Sequence, residues 1–213
     1  MLIIFDLDDT LIDTSRSITP FALKWALEAA CVSIPAEAII KANENAYSSS
    51  DVLKEFLDEH SATEVMRLIN RFPLNAIEVK CVPGAKQLID ELKGEHKLGI
   101  VSVGRYEQQV EKLKRAGIDL SSFAFIEVSE DQDKSSIYQK IIDKTKDPRN
   151  ILVVGDRIQS DLSPAKKLNM RTAHLRFGRG LNNTGLKCDV DVTIDAISEV
   201  KKLAYEYQHK NYK

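Results

Sequence analysis

Apolar residues fall along this chain in two textures. Short aliphatic and β-branched runs end abruptly in polar residues or glycine: Leu2–Asp6, Leu98–Val103, Ala124–Val128, Ile151–Gly155, Thr172–Arg176 and Val190–Ile194. Continuous runs of this length suit strands buried on both faces. Between and after them lie amphipathic stretches: Ala85–Lys93, Gln108–Ala116, Ser135–Lys144, Asp161–Leu168 and Ala196–Tyr205. From residue 84 onward the order is helix, strand, helix, strand. That is βαβ grammar, and it predicts an α/β fold, a doubly wound, Rossmann-like parallel sheet.

Residues 15–80 break the grammar and contain no convincing strand. Ile18, Phe21, Ala22, Trp25, Ala29 and Val32 recur at helical steps, as do Val52, Leu53, Phe56 and Leu57, and Val65, Leu68, Ile69 and Phe72. Pro35 and the Ser48–Ser50 run punctuate the pattern, and Pro83-Gly84 marks the return. The expected organisation is an α/β core domain over 1–14 and 81–213, with an all-helical domain of about four helices inserted at 15–80. The tail from Lys201 to Lys213 mixes lysines with Tyr205, Tyr207 and Tyr212. It reads as a solvated, fraying last helix rather than a nucleic-acid patch.

Composition narrows the function classes. The 213 residues carry 30 Lys+Arg against 32 Asp+Glu, a net charge of −2. There is no basic excess to neutralise phosphates, so no nucleic-acid partner is expected. Three cysteines, Cys31, Cys81 and Cys188, form no CxxC pair. They read as buried thiols in a reducing compartment, and the cytoplasm is the expected location. The longest apolar run, Met1–Phe5, is far short of the roughly 18 residues of a span, so no membrane partner is expected. Nothing in the pattern indicates an oligomeric state.

Four places carry candidate chemistry. Phe5-Asp6-Leu7-Asp8-Asp9-Thr10 runs an apolar strand straight into three carboxylates. In open parallel sheets ligands bind at the carboxyl ends of strands. Such acids repel one another without a cation, although Asp and Thr also favour turns and helix caps. Val153-Val154-Gly155-Asp156 repeats the arrangement, and Gly155 permits close backbone approach. Asp161, five residues on, stands where a helix begins and suits an N-cap. Ser102 ends a strand in Ile100-Val101-Ser102-Val103-Gly104, and its hydroxyl with the following N–H suits a phosphoryl oxygen. Lys134 stands before the helix at Ser135, in Glu130-Asp131-Gln132-Asp133-Lys134, and alone reads as a surface lysine.

Together the four signals resemble the haloacid dehalogenase superfamily, on its phosphatase branch. Asp6-Leu7-Asp8-Asp9-Thr10 matches the first motif, Ser102 the second, Lys134 the third, and Gly155-Asp156 with Asp161 the fourth. Val103 and Ser135 depart from the residues common after the second and third motifs, and neither removes a reacting group. The resemblance implies that β-strand one is central, that all four motifs meet in one crevice, and that the inserted helices form a C1 cap over it. It further implies Asp6 as nucleophile and Asp8 as general acid and base, with a pKa raised on cap closure. Mg²⁺ would be held by Asp6, the Asp8 backbone carbonyl and Asp156. Ser102, the Val103 N–H and Lys134 would bind phosphate, and Asp161 would orient Lys134 or metal-bound waters.

The expected function is thus Mg²⁺-dependent hydrolysis of a small-molecule phosphate monoester through an aspartyl phosphate. A phosphomutase shares Asp6 and Asp8, and a silent interaction protein would have lost a motif acid. Asp8 argues against a dehalogenase, which needs no leaving-group acid. A phosphonatase would need a cap lysine, and Lys24, Lys41 and Lys54 read as surface residues. Arg16 reads as solvent-exposed, and Arg176 and Arg179 read as part of a basic surface loop.

Overall fold

The computed structural model describes residues 1–44, 46–129, 133–183 and 185–210, without the side chains of His209 and Lys210. Six parallel strands form one sheet: β1 (Leu2–Phe5), β2 (Lys97–Val103), β3 (Phe125–Ser129), β4 (Ile151–Gly155), β5 (Arg171–Leu175) and β6 (Val192–Ile194). Their spatial order is β3-β2-β1-β4-β5-β6. Phe5 is in register with Ile100 of β2 and Val154 of β4. The strand order reverses beside β1, and the switch point opens a crevice at the carboxyl ends of β1 and its neighbours.

Between β1 and β2 come a one-turn helix α1 (Thr14–Ser17), then α2 (Thr19–Ala29), α3 (Ala36–Asn43), α4 (Ser49–Phe56) and α5 (Glu59–Ile69). The same connection ends in α6 (Ala85–Leu92), and the rest of the chain adds α7 (Tyr106–Arg115), α8 (Ser135–Thr145), α9 (Ser163–Lys167) and α10 (Val200–Lys210). Strand side chains alternate between faces. Ile3 and Phe5 therefore pack with Leu88 of α6, Leu113 of α7 and Leu203 of α10. Leu2 and Ile4 pack on the other face with Tyr138 of α8 and Ala165 of α9. Every residue of β1 and β4 is buried, the cause of their unbroken apolar runs.

The helices of the insert have their own core, built from Leu23, Ala26, Leu27, Ile39, Leu53 and Val65. Their starts follow from local chemistry: Ser48 Oγ caps α4 by accepting from the Asp51 N–H, and Asp58 caps α5 by accepting from Ser61. The buried stripe of α2 is Ala22, Leu23, Ala26 and Leu27, and Phe21 of the expected stripe is exposed. Ala22 packs with the sheet core while Leu23 packs inside the insert, so α2 serves both. The two connections to the insert run side by side: Asp13 N–H donates to Lys80 O and Val82 N–H to Leu11 O, each at 2.9 Å.

Three expectations need correction. Asp161 is no helix N-cap: it lies inside a π-type turn, Ile158–Leu162, and α9 starts only at Ser163. Cys31 and Cys188 are exposed and Cys81 half-buried, because Cys31 takes φ 53 just past the end of α2 and Cys188 sits in a short 3₁₀ turn. The last helix is anchored rather than fraying over its described length: Leu203 and Ala204 are buried, and the Arg171 guanidinium lies 4.3 Å from the Tyr207 ring centroid. Tyr212 lies outside the described residues, as do Glu130, Asp131 and Gln132.

Candidate active site

Asp6 extends β1 by one rung, donating its backbone N–H to Val154 O at 2.8 Å. The chain then turns sharply, with the N–H groups of Leu11 and Ile12 both donating to Leu7 O at 2.9 Å. Asp9 takes φ 58, a conformation that short polar residues tolerate best after glycine. Its carboxylate serves structure, accepting from the backbone N–H of Ser15 at 2.8 Å and of Arg179 at 3.4 Å. Gly178 permits that approach: a Cβ there would stand 2.5 Å from Asp9 Cγ.

Ser102 near the end of β2, Asp156 after β4 and Lys134 before α8 come to the same crevice. Lys134 is only 1% exposed, and its Nζ donates to Asp6 Oδ1 at 2.5 Å and to Asp161 Oδ1 at 2.8 Å. The surface-lysine alternative is thereby overturned. Asp161 Oδ2 accepts from the Arg157 backbone N–H at 2.9 Å, which folds the carboxylate back over Gly155. A Cβ on Gly155 would lie 2.6 Å from that oxygen, so close approach requires glycine here.

Charge is crowded in this floor. Asp6, Asp156 and Asp161 are all buried and each offers a carboxylate oxygen within 4.8 Å of the others. Burial pushes Asp6 up to about 7; Lys134 opposes, and Asp161 and Asp8 add to the rise. Burial, then Asp161, raises Asp156 well above the usual carboxylate range. Burial alone would lower Lys134, but Asp161 and Asp6 outweigh it and raise its pKa.

Asp8 behaves differently from expectation. Its carboxylate accepts from Lys112 Nζ at 2.6 Å, from Gln109 Nε2 at 3.0 Å and from the Thr14 hydroxyl. Burial would raise its pKa, yet Lys112 with these hydrogen bonds holds it down at about 2. A raised value is therefore incorrect for this arrangement.

The family model of haloacid dehalogenase-like hydrolases matches residues 3–175. The chain belongs to this family. A glyceraldehyde 3-phosphate phosphatase of Pyrococcus furiosus is 30% identical over 197 residues, 84% of this chain and 81% of that protein. Its namesake in Pyrococcus abyssi is 28% identical over 202 residues, 84% of this chain and 82% of that protein. Among solved structures, the magnesium-bound HAD-hydrolase YfnB of Bacillus subtilis aligns with TM-score 0.72 and 19% identity, covering 95% and 97% of the two chains. A predicted phosphoglycolate phosphatase from Haemophilus somnus aligns with TM-score 0.73 and 19% identity, covering 95% and 96%. These last two establish the likeness of fold.

In this haloacid dehalogenase-like chain the crevice forms a cavity of about 290 Å³ lined by Asp6, Asp8, Ser102, Lys134, Arg157 and Arg179, among others. Three buried carboxylates with a single shared ammonium are the donor chemistry of a hard divalent cation, and the residues present fit Mg²⁺. Several residues here escaped the sequence reading. Gln109 Nε2 lies 2.9 Å from Ser102 Oγ and 2.8 Å from Val103 O as well as reaching Asp8. The signal was present: Gln109 and Lys112 occupy the buried stripe of α7, where an amphipathic helix normally places apolar residues. Arg179 is buried, not part of a basic surface loop, because its guanidinium bonds Asn43 and Ser49 of the insert. Arg16 and Arg176 are exposed, as are Lys24, Lys41 and Lys54.

Proposed function

We propose that the chain is a Mg²⁺-dependent phosphatase of small phosphate monoesters, with Asp6 as the nucleophile. The observation that carries this is the buried Lys134, whose ammonium joins Asp6 and Asp161 at the mouth of β1 and β4. The Pyrococcus relatives named for glyceraldehyde 3-phosphate support a substrate of about three carbons, and the cavity volume accommodates one.

An Asp6 oxygen attacks phosphorus; the new O–P bond replaces the bond to the substrate alcohol, which leaves with a proton. Water then attacks the aspartyl phosphate, restoring the carboxylate and releasing inorganic phosphate. Lys134, Ser102 and the Val103 N–H are the groups for the equatorial oxygens. Asp6, Asp156 and the Asp8 backbone carbonyl would hold Mg²⁺, which would supply positive charge to offset repulsion between nucleophile and phosphate. Asp161 orients Lys134. Asp8, ionised as it stands, is ready to take a proton from water; to act on the leaving alcohol it must first part from Lys112 and take up a proton from solvent, which it then passes to the alcohol oxygen. Residues 15–80 act as the cap that excludes bulk water from the crevice.

The test is phosphate release from p-nitrophenyl phosphate. Expected is activity with Mg²⁺, none in excess EDTA, and a fall to background in a folded Asp6→Asn variant. Wild-type turnover in that variant would overturn the covalent mechanism, and full activity in EDTA the metal requirement.

A further inference from the structure

Two arginines line the cavity, one beside the fourth motif and one after β5, and the chemistry above uses neither. Arg179 follows β5 and is 8% exposed. Its Nη2 donates to Asn43 Oδ1 at 3.2 Å and to Ser49 Oγ at 2.7 Å. Both acceptors are neutral, and among the described residues its Nε and Nη1 hydrogens meet none. Arg157 follows Asp156, with its guanidinium 5.4 Å from the Tyr47 ring centroid. Among the described residues that guanidinium has no hydrogen-bond acceptor, and neither arginine forms an ion pair with a carboxylate.

This is an unusual state for a buried cation with a half-buried one beside it, since buried charges are normally paired. The carboxylates of the site bond neither guanidinium, although Asp156 attracts Arg157 through space. Asp8 is taken by Lys112, Asp6 and Asp161 share Lys134, and Asp9 is engaged by backbone N–H groups. The arginines also repel each other: after burial, Arg157 is the largest cause that lowers the Arg179 pKa. An anion in the cavity would relieve the repulsion and accept the unspent donors. Arg179 is prepared for one, because the Gly178 turn, its own backbone bond to Asp9 and its two contacts to the insert hold the guanidinium in place.

We infer that Arg157 and Arg179 bind a carboxylate on the non-reacting end of the substrate, so that the enzyme prefers phosphorylated carboxylic acids to neutral phosphates of equal size. The inference rests on the phosphatase reading and deepens it. A planar carboxylate matches the guanidinium fork. The cavity of about 290 Å³ must already hold the reacting phosphate, which favours the small carboxylate over a second phosphate. Arg179 already ties α3 and α4 to the loop after β5, so an anion held by it bears on the insert as well as on the core.

The test compares kcat/KM for 3-phosphoglycerate and glyceraldehyde 3-phosphate, which share a skeleton and differ in carboxylate against aldehyde. Charged hydrogen bonds of this kind predict a preference for the acid of roughly 10²-fold. In Arg157→Gln and Arg179→Gln the ratio should fall towards one, and Arg179→Lys should restore part of it. A wild-type ratio near one or favouring the aldehyde would overturn the inference without any variant. So would an unchanged ratio in both Gln variants, or faster turnover of a three-carbon bisphosphate than of the acid. Mg²⁺-dependent hydrolysis of p-nitrophenyl phosphate separates the two levels. Present beside a flat ratio, it leaves the phosphatase standing and removes the carboxylate subsite; absent with every substrate, it removes both.

Discussion

The carboxylate floor makes the metal-free protein less stable than its packing allows, and Asp156→Asn exposes the cost. The substitution keeps shape and removes a charge. Among the described residues the Asp156 carboxylate accepts no hydrogen bond that would be lost; the contact from His174 Nε2, at 3.0 Å, is to the backbone carbonyl. Two like charges within 4.8 Å of each other repel by about 3 kcal/mol or more at an effective dielectric constant of roughly 20. Lys134 neutralises part of the neighbouring Asp161, and Arg157 attracts Asp156. The net gain on substitution is therefore about 1–3 kcal/mol, or roughly 3–9 °C in Tm for a chain of this size.

The pH dependence has a definite sign. Asp6 is raised from 3.8 to about 7 and Asp156 is raised well above 3.8. Between about pH 4 and pH 7 the folded metal-free protein holds protons that the unfolded chain has released. Stability then falls as pH rises through that window. Asp156→Asn removes one of the two groups and should flatten the fall. The assay is thermal unfolding in EDTA from about pH 5 to pH 8, repeated with Mg²⁺. Wild-type protein should gain Tm with Mg²⁺ and the variant should not. A metal-free variant that melts below wild type at about pH 7.5 would refute the electrostatic argument.

Two further substitutions probe the supports of the site. Lys112→Met removes the ammonium 2.6 Å from Asp8. Asp8 is depressed to about 2, so it adds stability above pH 3.8 that is lost as pH falls through 2; without Lys112, acid unfolding should move to higher pH and neutral stability drop by about 1–3 kcal/mol, read by melting against pH. Gly155→Ala puts a Cβ 2.6 Å from Asp161 Oδ2. Asp161 must move off Lys134, at a cost of about 1–3 kcal/mol and with loss of Mg²⁺-dependent stabilisation, both visible in the same melts.

The sheet was legible because its central strands are buried on both faces: Leu2–Phe5 and Ile151–Gly155 are apolar without interruption, and acids at their ends have nowhere to be but the crevice. The same logic located Asp6 and Asp156, whereas Ser102 and Lys134 were assigned through the family resemblance, Lys134 alone reading as a surface residue. What escaped depends on side chains meeting from distant segments. Nothing local says that Lys112 reaches Asp8 across 104 residues, or that Arg179 reaches Asn43 across 136. The local placement of Asp161, though not its expected role beside Lys134, was obscured for a different reason. N-cap chemistry and lysine-orienting chemistry both want an aspartate at that spacing. The π-type turn, which inserts an extra residue before α9, is what swings the carboxylate back over Gly155.

The charges of the crevice divide into two poles. Lys112 is committed to Asp8, and Lys134 is shared between Asp6 and Asp161. One carboxylate, Asp156, then has no ammonium of its own at the floor, which is the deficit a divalent cation meets. On the opposite side Arg157 and Arg179 lack carboxylates, the deficit that an anion meets. The poles offset each other only in part: Arg157 attracts Asp156, yet its guanidinium lies over Tyr47 and makes no ion pair with that carboxylate. A cation and an anionic substrate therefore each relieve a cost left by the fold, and each lowers the field that the other must enter. Binding of the two should be mutually favourable. The melting shift from Mg²⁺ together with a non-hydrolysable phosphonocarboxylate should exceed the sum of the separate shifts, and a sum that is merely additive would show that the poles act independently.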